Sequence, residues 1–274
     1  MALLLSQTTL FSGSLADLGP TKLLINTINA HSYNVAQQDL EFAETLIKSD
    51  VLLPDGISVV FAAKYLAIGG SKRQVASNLK KIAGEDLFYY EMRRLESMFV
   101  ETMRAPSVQQ KSAKALFLGS SESTLQKIKE RAALEFPNVE VYTFSPPYKP
   151  EFSETENEVM INRVNAVKPD VLFVGMTAPK QEKWAYKHFE SLHTGHVCCI
   201  GAVFDFYAGT VKRAPQWIIK MGLEWLYRLI KEPQRMWRRY LVGNTKFLWG
   251  IMSEKVKLMV NNITDWEYQS KNKI

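Results

Sequence analysis

Between Lys114 and Ile200 the sequence repeats one grammar: a short apolar run, a turn, then a longer stretch with apolar residues at helical spacing. The runs are Lys114 to Leu118, Val139 to Tyr142, Asp170 to Val174 and Val197 to Ile200. The stretches between them, Glu122 to Leu134, Thr155 to Val167 and Lys180 to Ser191, have helical periodicity. Runs this short and this apolar read as strands buried on both faces, and crossover helices force neighbouring strands to lie parallel. The predicted fold class is therefore α/β: a Rossmann-like parallel sheet core with helices on both faces. Earlier segments extend it. Lys22 to Ile28 and Val51 to Leu53 read as strands, and Val35 to Lys48, capped by Asn34, Ile57 to Ile68 and Asp86 to Met103 as helices. The first twenty residues, rich in Ser, Thr and Gly, read as a loose lead-in.

After residue 210 the composition changes. Residues 211–248 carry nine Lys and Arg against Glu224 and Glu232, a surplus large enough to account for the whole net charge of +6. Trp217, Trp225, Trp237, Tyr227 and Tyr240 are interleaved with that charge, the composition of an interfacial amphipathic segment. A boundary near 210 divides the chain into a core, 1–210, and a helical, basic, membrane-associating appendage, 211–274. Trp217, Ile218, Met221 and Trp225 are predicted to form one stripe. Pro233 is predicted to open a second helix with Arg235, Arg238 and Arg239 on one side. No run reaches the roughly 20 apolar residues of a membrane span, and Met1 to Leu5 lack the basic start of a signal peptide. The adjacent Cys198 and Cys199 point to opposite faces of a strand and read as small buried apolar residues. With no disulfide framework, a cytoplasmic chain is expected.

Ligands of open α/β sheets sit beyond the carboxyl ends of the strands. Asp55, after an apolar run and before Gly56, is there either a general base or a turn-capping carboxylate. Gly119 and Ser120 either present backbone N–H groups to a phosphate or form a plain strand-to-helix turn. Gln181, after Pro179 and Lys180, faces either the cleft or solvent, and Asp205 is a ligand-binding residue or a cap. His31, His188, His193 and His196 show no metal-ligand spacing, and the last three are expected at the surface. There is no Asp-x-Asp pair to hold a divalent metal, so no metal site is predicted.

Several further segments occur in a fixed order: Asn26-Thr27-Ile28-Asn29, Leu53-Pro54-Asp55-Gly56, Ile82-Ala83-Gly84-Glu85-Asp86-Leu87, Pro179-Lys180-Gln181-Glu182, Gly201-Ala202-Val203-Phe204-Asp205, Arg213-Ala214-Pro215-x-Trp217 and Gly222-Leu223-Glu224-Trp225-Leu226-Tyr227-Arg228-Leu229. Glu232-Pro233-x-Arg235 and Arg239-Tyr240 follow. Together, across residues 22–248, they resemble the WecG/TagA/CpsF glycosyltransferases. The resemblance implies an inverting, metal-independent transfer from a UDP-sugar donor to a polyprenyl-pyrophosphate-linked acceptor, with no cofactor. It implies work at the inner face of the cytoplasmic membrane, in synthesis of teichoic acid, capsule, exopolysaccharide or a related surface polymer. It makes Asp55 the catalytic base, Thr27, Asn29 and Gln181 residues around the sugar, and Asp205 the uracil contact with Tyr148 nearby. Arg228, Arg235 and Arg238 would reach the diphosphate. Lys81 stands where the family commonly has an arginine, after an insertion around 69–78 that brings Arg73 as an alternative cation. Lysine keeps the charge and loses the bidentate fork.

Two other classes compete. A Rossmann-like oxidoreductase would need a GxGxxG turn, which is missing. A nucleic-acid-binding protein would use the basic C-terminal patch, yet has no need of Asp55 and Gln181 at strand ends. The resemblance favours an anionic membrane surface as partner, with no nucleic acid. It leaves open the sugar, the glycan and the oligomeric state, a homo-oligomer included.

Overall fold

The structure, a computed structural model, describes residues 3–68, 73–104 and 112–271, with the backbone alone at 73, 99–104, 216, 220, 235 and 261–271. Six strands form one sheet: β1 (Leu23–Ile28), β2 (Val51–Pro54), β3 (Ala113–Gly119), β4 (Val139–Phe144), β5 (Val171–Gly175) and β6 (His196–Cys199). They lie in the order β2-β1-β6-β5-β3-β4, and every pairing is parallel. The predicted α/β class is what the chain adopts. β5 and β6 are buried along their whole length, which is why they read as unbroken apolar runs rather than alternating ones.

The helices are α1 (Ala30–Ala36), α2 (Leu40–Ile47), α3 (Ile57–Leu66), α4 (Arg73–Ser77), α5 (Gly84–Arg104), α6 (Glu122–Glu135), α7 (Glu154–Val167), α8 (Lys180–His188), α9 (Val203–Tyr207), α10 (Gln216–Lys220), α11 (Glu224–Lys231), α12 (Pro233–Trp237) and α13 (Gly243–Lys271). One face of the sheet packs Phe117 and Phe173 against Phe88 of α5 and Phe204 of α9. The other packs Leu116 and Leu172 against Met160 and Val164 of α7 and Trp184 of α8. Cys198 lies in the first cluster and Cys199 in the second, so the pair straddles the sheet as its alternation required.

Four expectations need correcting. The stretch Val35 to Lys48 is two helices, because Asn29 and Asp39 each cap an N-terminus through a side-chain carboxyl or amide oxygen. Asn34 is no cap; its amide donates to Gly243 O at 2.7 Å. The lead-in is packed, with Leu3, Leu5 and Leu10 buried in a third cluster alongside α1, α2, α3 and α13. Trp217, Ile218, Met221 and Trp225 do not share one helix, since Gly222, at φ +73°, ends α10 before α11 begins. His188 and His196 are buried. His196 Nδ1 lies 2.7 Å from Glu91 Oε1 and its Nε2 2.9 Å from Gly19 O.

The basic segment runs from α10 through α12, where Pro233 stands at the helix start as predicted. One π-helical turn, Arg238–Val242, then feeds α13. α13 returns to the core: Phe247 and Ile251 enter the third cluster, and the Glu254 carboxylate accepts from the N–H of Leu5 at 3.2 Å and of Ser6 at 2.6 Å. Among the described residues no helix is long and apolar enough to cross a membrane.

Candidate active site

The sheet is parallel throughout, so the carboxyl ends of β1, β2, β5 and β6 lie at one edge, where an open α/β sheet has its ligand crevice. Asp55 leaves β2 with its N–H donated to Ile28 O at 2.9 Å, which ties it to β1. Its side chain is half-buried. Burial pushes the carboxyl up to about 6, helped by the negative charges of Glu224 and Asp86, while Lys81 and Arg213 pull the other way. A carboxyl titrating there is ionised at neutral pH and still basic enough to take a proton, which the ordinary range would make less effective.

Thr27 pairs with Leu53 across β1 and β2 and is half-buried. Asn29 is fixed as the α1 cap, its Oδ1 accepting from the N–H groups of His31 and Ser32, both at 3.0 Å. That leaves its amide NH₂ as the group available for a ligand. Beside it, His31 is held down to about 4 by burial and by the Arg239 charge, so it is neutral at pH 7.

At the end of β5, Gln181 and Glu182 open α8 and are both buried. Gln181 Nε2 donates to Glu182 Oε1 at 2.8 Å, and the amide packs against Gly201 at the end of β6. Gln181 Oε1 and Glu182 Oε2 have no hydrogen-bond partner among the described residues. Buried acceptors without donors are rare and mark a place where a donor is supplied from outside. Burial pushes the Glu182 carboxyl up to about 7. Nothing local in the sequence marks Glu182 as buried; its place in the Pro179-Lys180-Gln181-Glu182 motif is the signal available.

Asp205 is half-buried in α9 and accepts from Thr210 Oγ at 3.4 Å. Tyr148 is fully exposed on the loop after β4. Gly119 and Ser120 take positive φ, +122° and +61°, and a side chain on Gly119 would meet Gly175 O at 2.5 Å. That close approach demands glycine there. Ser121 caps α6 itself, accepting from Thr124 N–H at 3.3 Å.

The basic segment packs against the core through Arg213, Glu224 and Arg228. The Arg228 guanidinium lies over the Phe206 ring at 5.6 Å, and its Nε is buried without an acceptor among the described residues. Arg238 is exposed, over the Trp237 ring at 5.3 Å. The side chains of Arg73 and Arg235 lie outside the described residues. Sequence reasoning also passed over Arg213. It pairs with Glu85 and, through Nε to Oε1 at 3.0 Å, with Glu224, whose Oε2 lies 3.9 Å from Lys81 Nζ. Arg213, Glu85 and Glu224 sit within the ordered motifs, which was the signal available. Among the described residues no three His, Cys, Asp or Glu side chains group as metal ligands.

A half-buried carboxyl with raised titration and a buried amide acceptor at the carboxyl ends of a parallel α/β sheet stand where enzymes of this class bind their ligands. The chain belongs to the glycosyl transferase WecG/TagA/CpsF family, whose profile matches residues 14–261. It is similar to N-acetylglucosaminyldiphosphoundecaprenol N-acetyl-beta-D-mannosaminyltransferases. One from Bacillus spizizenii is 31% identical over 75% of this chain and 70% of its own length. One from Bacillus subtilis is 28% identical over 80% and 75%. One from Staphylococcus aureus is 25% identical over 89% and 85%.

Proposed function

We infer that this glycosyltransferase moves N-acetylmannosamine, or a related hexose, from a UDP-sugar to a polyprenyl-diphosphate-linked N-acetylglucosamine. The product is an intermediate of a teichoic-acid-like, capsular or other surface polysaccharide. The observation that carries this reading is Asp55: a carboxylate at the end of β2, half-buried, with its titration raised to about 6. The names of the relatives support the acceptor and the sugar.

The acceptor hydroxyl oxygen attacks the anomeric carbon as the bond to the UDP oxygen breaks, and Asp55 takes the hydroxyl proton. A single displacement inverts the anomeric centre. Thr27, the Asn29 amide and Gln181 hold the sugar, with Gln181 Oε1 pre-aimed as an acceptor by its bond to Glu182. Asp205 takes the uracil N–H, with Tyr148 closing over the base. Negative charge builds on the departing diphosphate, and Arg228, Arg235, Arg238, Lys81 and Arg73 answer it. N–H groups of the Gly119-Ser120 turn assist. Fixed cations do the work a divalent metal does elsewhere, so the transfer is metal-independent.

The second half of the proposal is location. Trp217, Met221, Ile230, Leu241, Leu248 and Trp249 are exposed along the basic segment and α13, and in the basic segment Lys and Arg outnumber Glu nine to two. That pattern fits an anionic bilayer surface, with residues 211–274 docking on the inner face of the cytoplasmic membrane. The test is transfer from UDP-N-acetylmannosamine to a synthetic N-acetylglucosaminyl-diphospho-lipid, read by mass spectrometry, with and without excess EDTA. Product of unchanged yield in EDTA is expected. Activity lost in EDTA and restored by magnesium or manganese would overturn the metal-independent mechanism, and no product from any UDP-hexose would overturn the assignment.

A further inference from the structure

The rim of the Asp55 crevice is joined by ion pairs between parts of the chain far apart in sequence. Arg213, just beyond the core, is clamped between Glu85 at the start of α5 and Glu224, the first residue of α11. Its guanidinium reaches both Glu224 oxygens, Nε to Oε1 at 3.0 Å and Nη2 to Oε2 at 3.4 Å. Lys81 faces the same carboxylate at 3.9 Å. Lys81 is fixed to the Asp55 loop, because the N–H of Ile82 donates to Pro54 O at 3.1 Å. The turn into α11 lies there too: a side chain on Gly222 would meet Ile57, two residues beyond Asp55, at 3.6 Å. Among the described residues, the charges of Lys81, Arg213, Glu224 and Asp86 act on Asp55; Asp86 is held in place by accepting from Ala83 N–H at 2.7 Å.

We propose that Glu224 is a positioning residue: by holding Arg213 and Lys81 it docks α11 on the core and sets the charge balance around Asp55, so that Asp55 is a competent base only while α11 is seated. The proposal rests on the reading of Asp55 as the base. Two cations facing a carboxylate favour its ionised form and weaken it as a base. Glu224 offsets both. Burial of Asp55 acts in the same direction, favouring the neutral carboxyl. The basic segment thus contributes more than arginines for a diphosphate. It brings Glu224, an acid that offsets the cations standing beside the base. An enzyme whose α11 is undocked would keep Asp55 ionised but poorly basic, which couples turnover to the seating of this segment.

The two ends of the ion pair make opposite predictions, which a purely structural role would not. Full-length protein labelled with carboxyl-¹³C aspartate is titrated by NMR, with the Asp55 signal assigned by its absence in Asp55→Asn. Glu224→Gln should move the midpoint down, and Lys81→Met should move it up, each by about 0.5 pH or more. Glu224→Asp should bring it back toward wild type. The acid limb of kcat/KM, measured with UDP-N-acetylmannosamine and the lipid-linked N-acetylglucosamine, should move with the NMR midpoint in each variant. Should Glu224→Gln not fold, the sign of the Lys81→Met shift decides. Midpoints that stay put, or that move in the same direction in both variants, overturn the proposal. A different result, full activity in Asp55→Asn, overturns the base assignment and leaves the titration shifts as they are, so the two failures are distinguishable.

Discussion

Asp55 and Glu182 are both carboxyls raised by burial, and they answer to different experiments. Asp55→Asn removes the proton acceptor while preserving shape. Turnover should fall about 10²- to 10⁴-fold with UDP affinity within a few-fold of wild type, measured by steady-state kinetics beside a UDP titration. Since the wild-type base must be ionised, kcat/KM should decline as pH falls through about 6. Glu182 is better read through stability. Its folded-state titration near 7 lies above the ordinary carboxylate range. Between those limits the folded chain holds a proton that the unfolded chain has lost, so stability falls as pH rises through that window. In Glu182→Gln the urea midpoint should depend less on pH between roughly 5 and 7 than it does in wild type. An unchanged pH slope would mean that Glu182 is ionised in the folded chain.

Among the elements, α11 is the one whose placement rests on a single backbone angle. Gly222 at φ +73° ends α10 and turns the chain so that Glu224 and Arg228 face the core. A residue with a Cβ there is strained by about 1–2 kcal/mol. Gly222→Ala should lower the urea unfolding free energy by about that amount and reduce kcat by more than a comparable loss elsewhere on the surface, because α11 is displaced from the crevice. An active enzyme with wild-type kcat would show that α11 has no part in the chemistry. The same angle explains why four residues spaced as a helical stripe became parts of two helices: periodicity registers spacing and is blind to a left-handed glycine between turns.

For the whole molecule, the division at residue 210 stands as a proposal about roles. Physically the two parts share a core. Phe247 and Ile251 fill the cluster that holds Leu3 and Leu5, and Glu254 satisfies two N-terminal N–H groups. Removing residues 211–274 should therefore abolish cooperative unfolding, seen as a lost calorimetric transition. Membrane association is better tested by exposed side chains. Trp217→Ala with Trp249→Ala, at 63% and 74% exposure, should leave melting unchanged. The pair should weaken sedimentation with anionic phospholipid vesicles, and added salt should weaken it further, since each basic residue near such a surface is worth about 1 kcal/mol. Undiminished sedimentation would remove the interfacial role of these tryptophans.

The sequence alone determined the parallel sheet, because strands buried on both faces must be continuously apolar and crossover helices must be amphipathic, and both patterns are local. It also put Asp55, Thr27, Asn29 and Gln181 at or beyond the carboxyl ends of strands, since strand ends can be read from where apolar runs stop. The tertiary structure decided what each of them faces. That Glu182 is buried could not be read from neighbours in the chain. Nor could the burial of His196 against Glu91 or the joining of Arg213 to both Glu85 and Glu224. Burial and electrostatic partners are set by segments distant in sequence, and the chemistry of a carboxylate is set by what surrounds it.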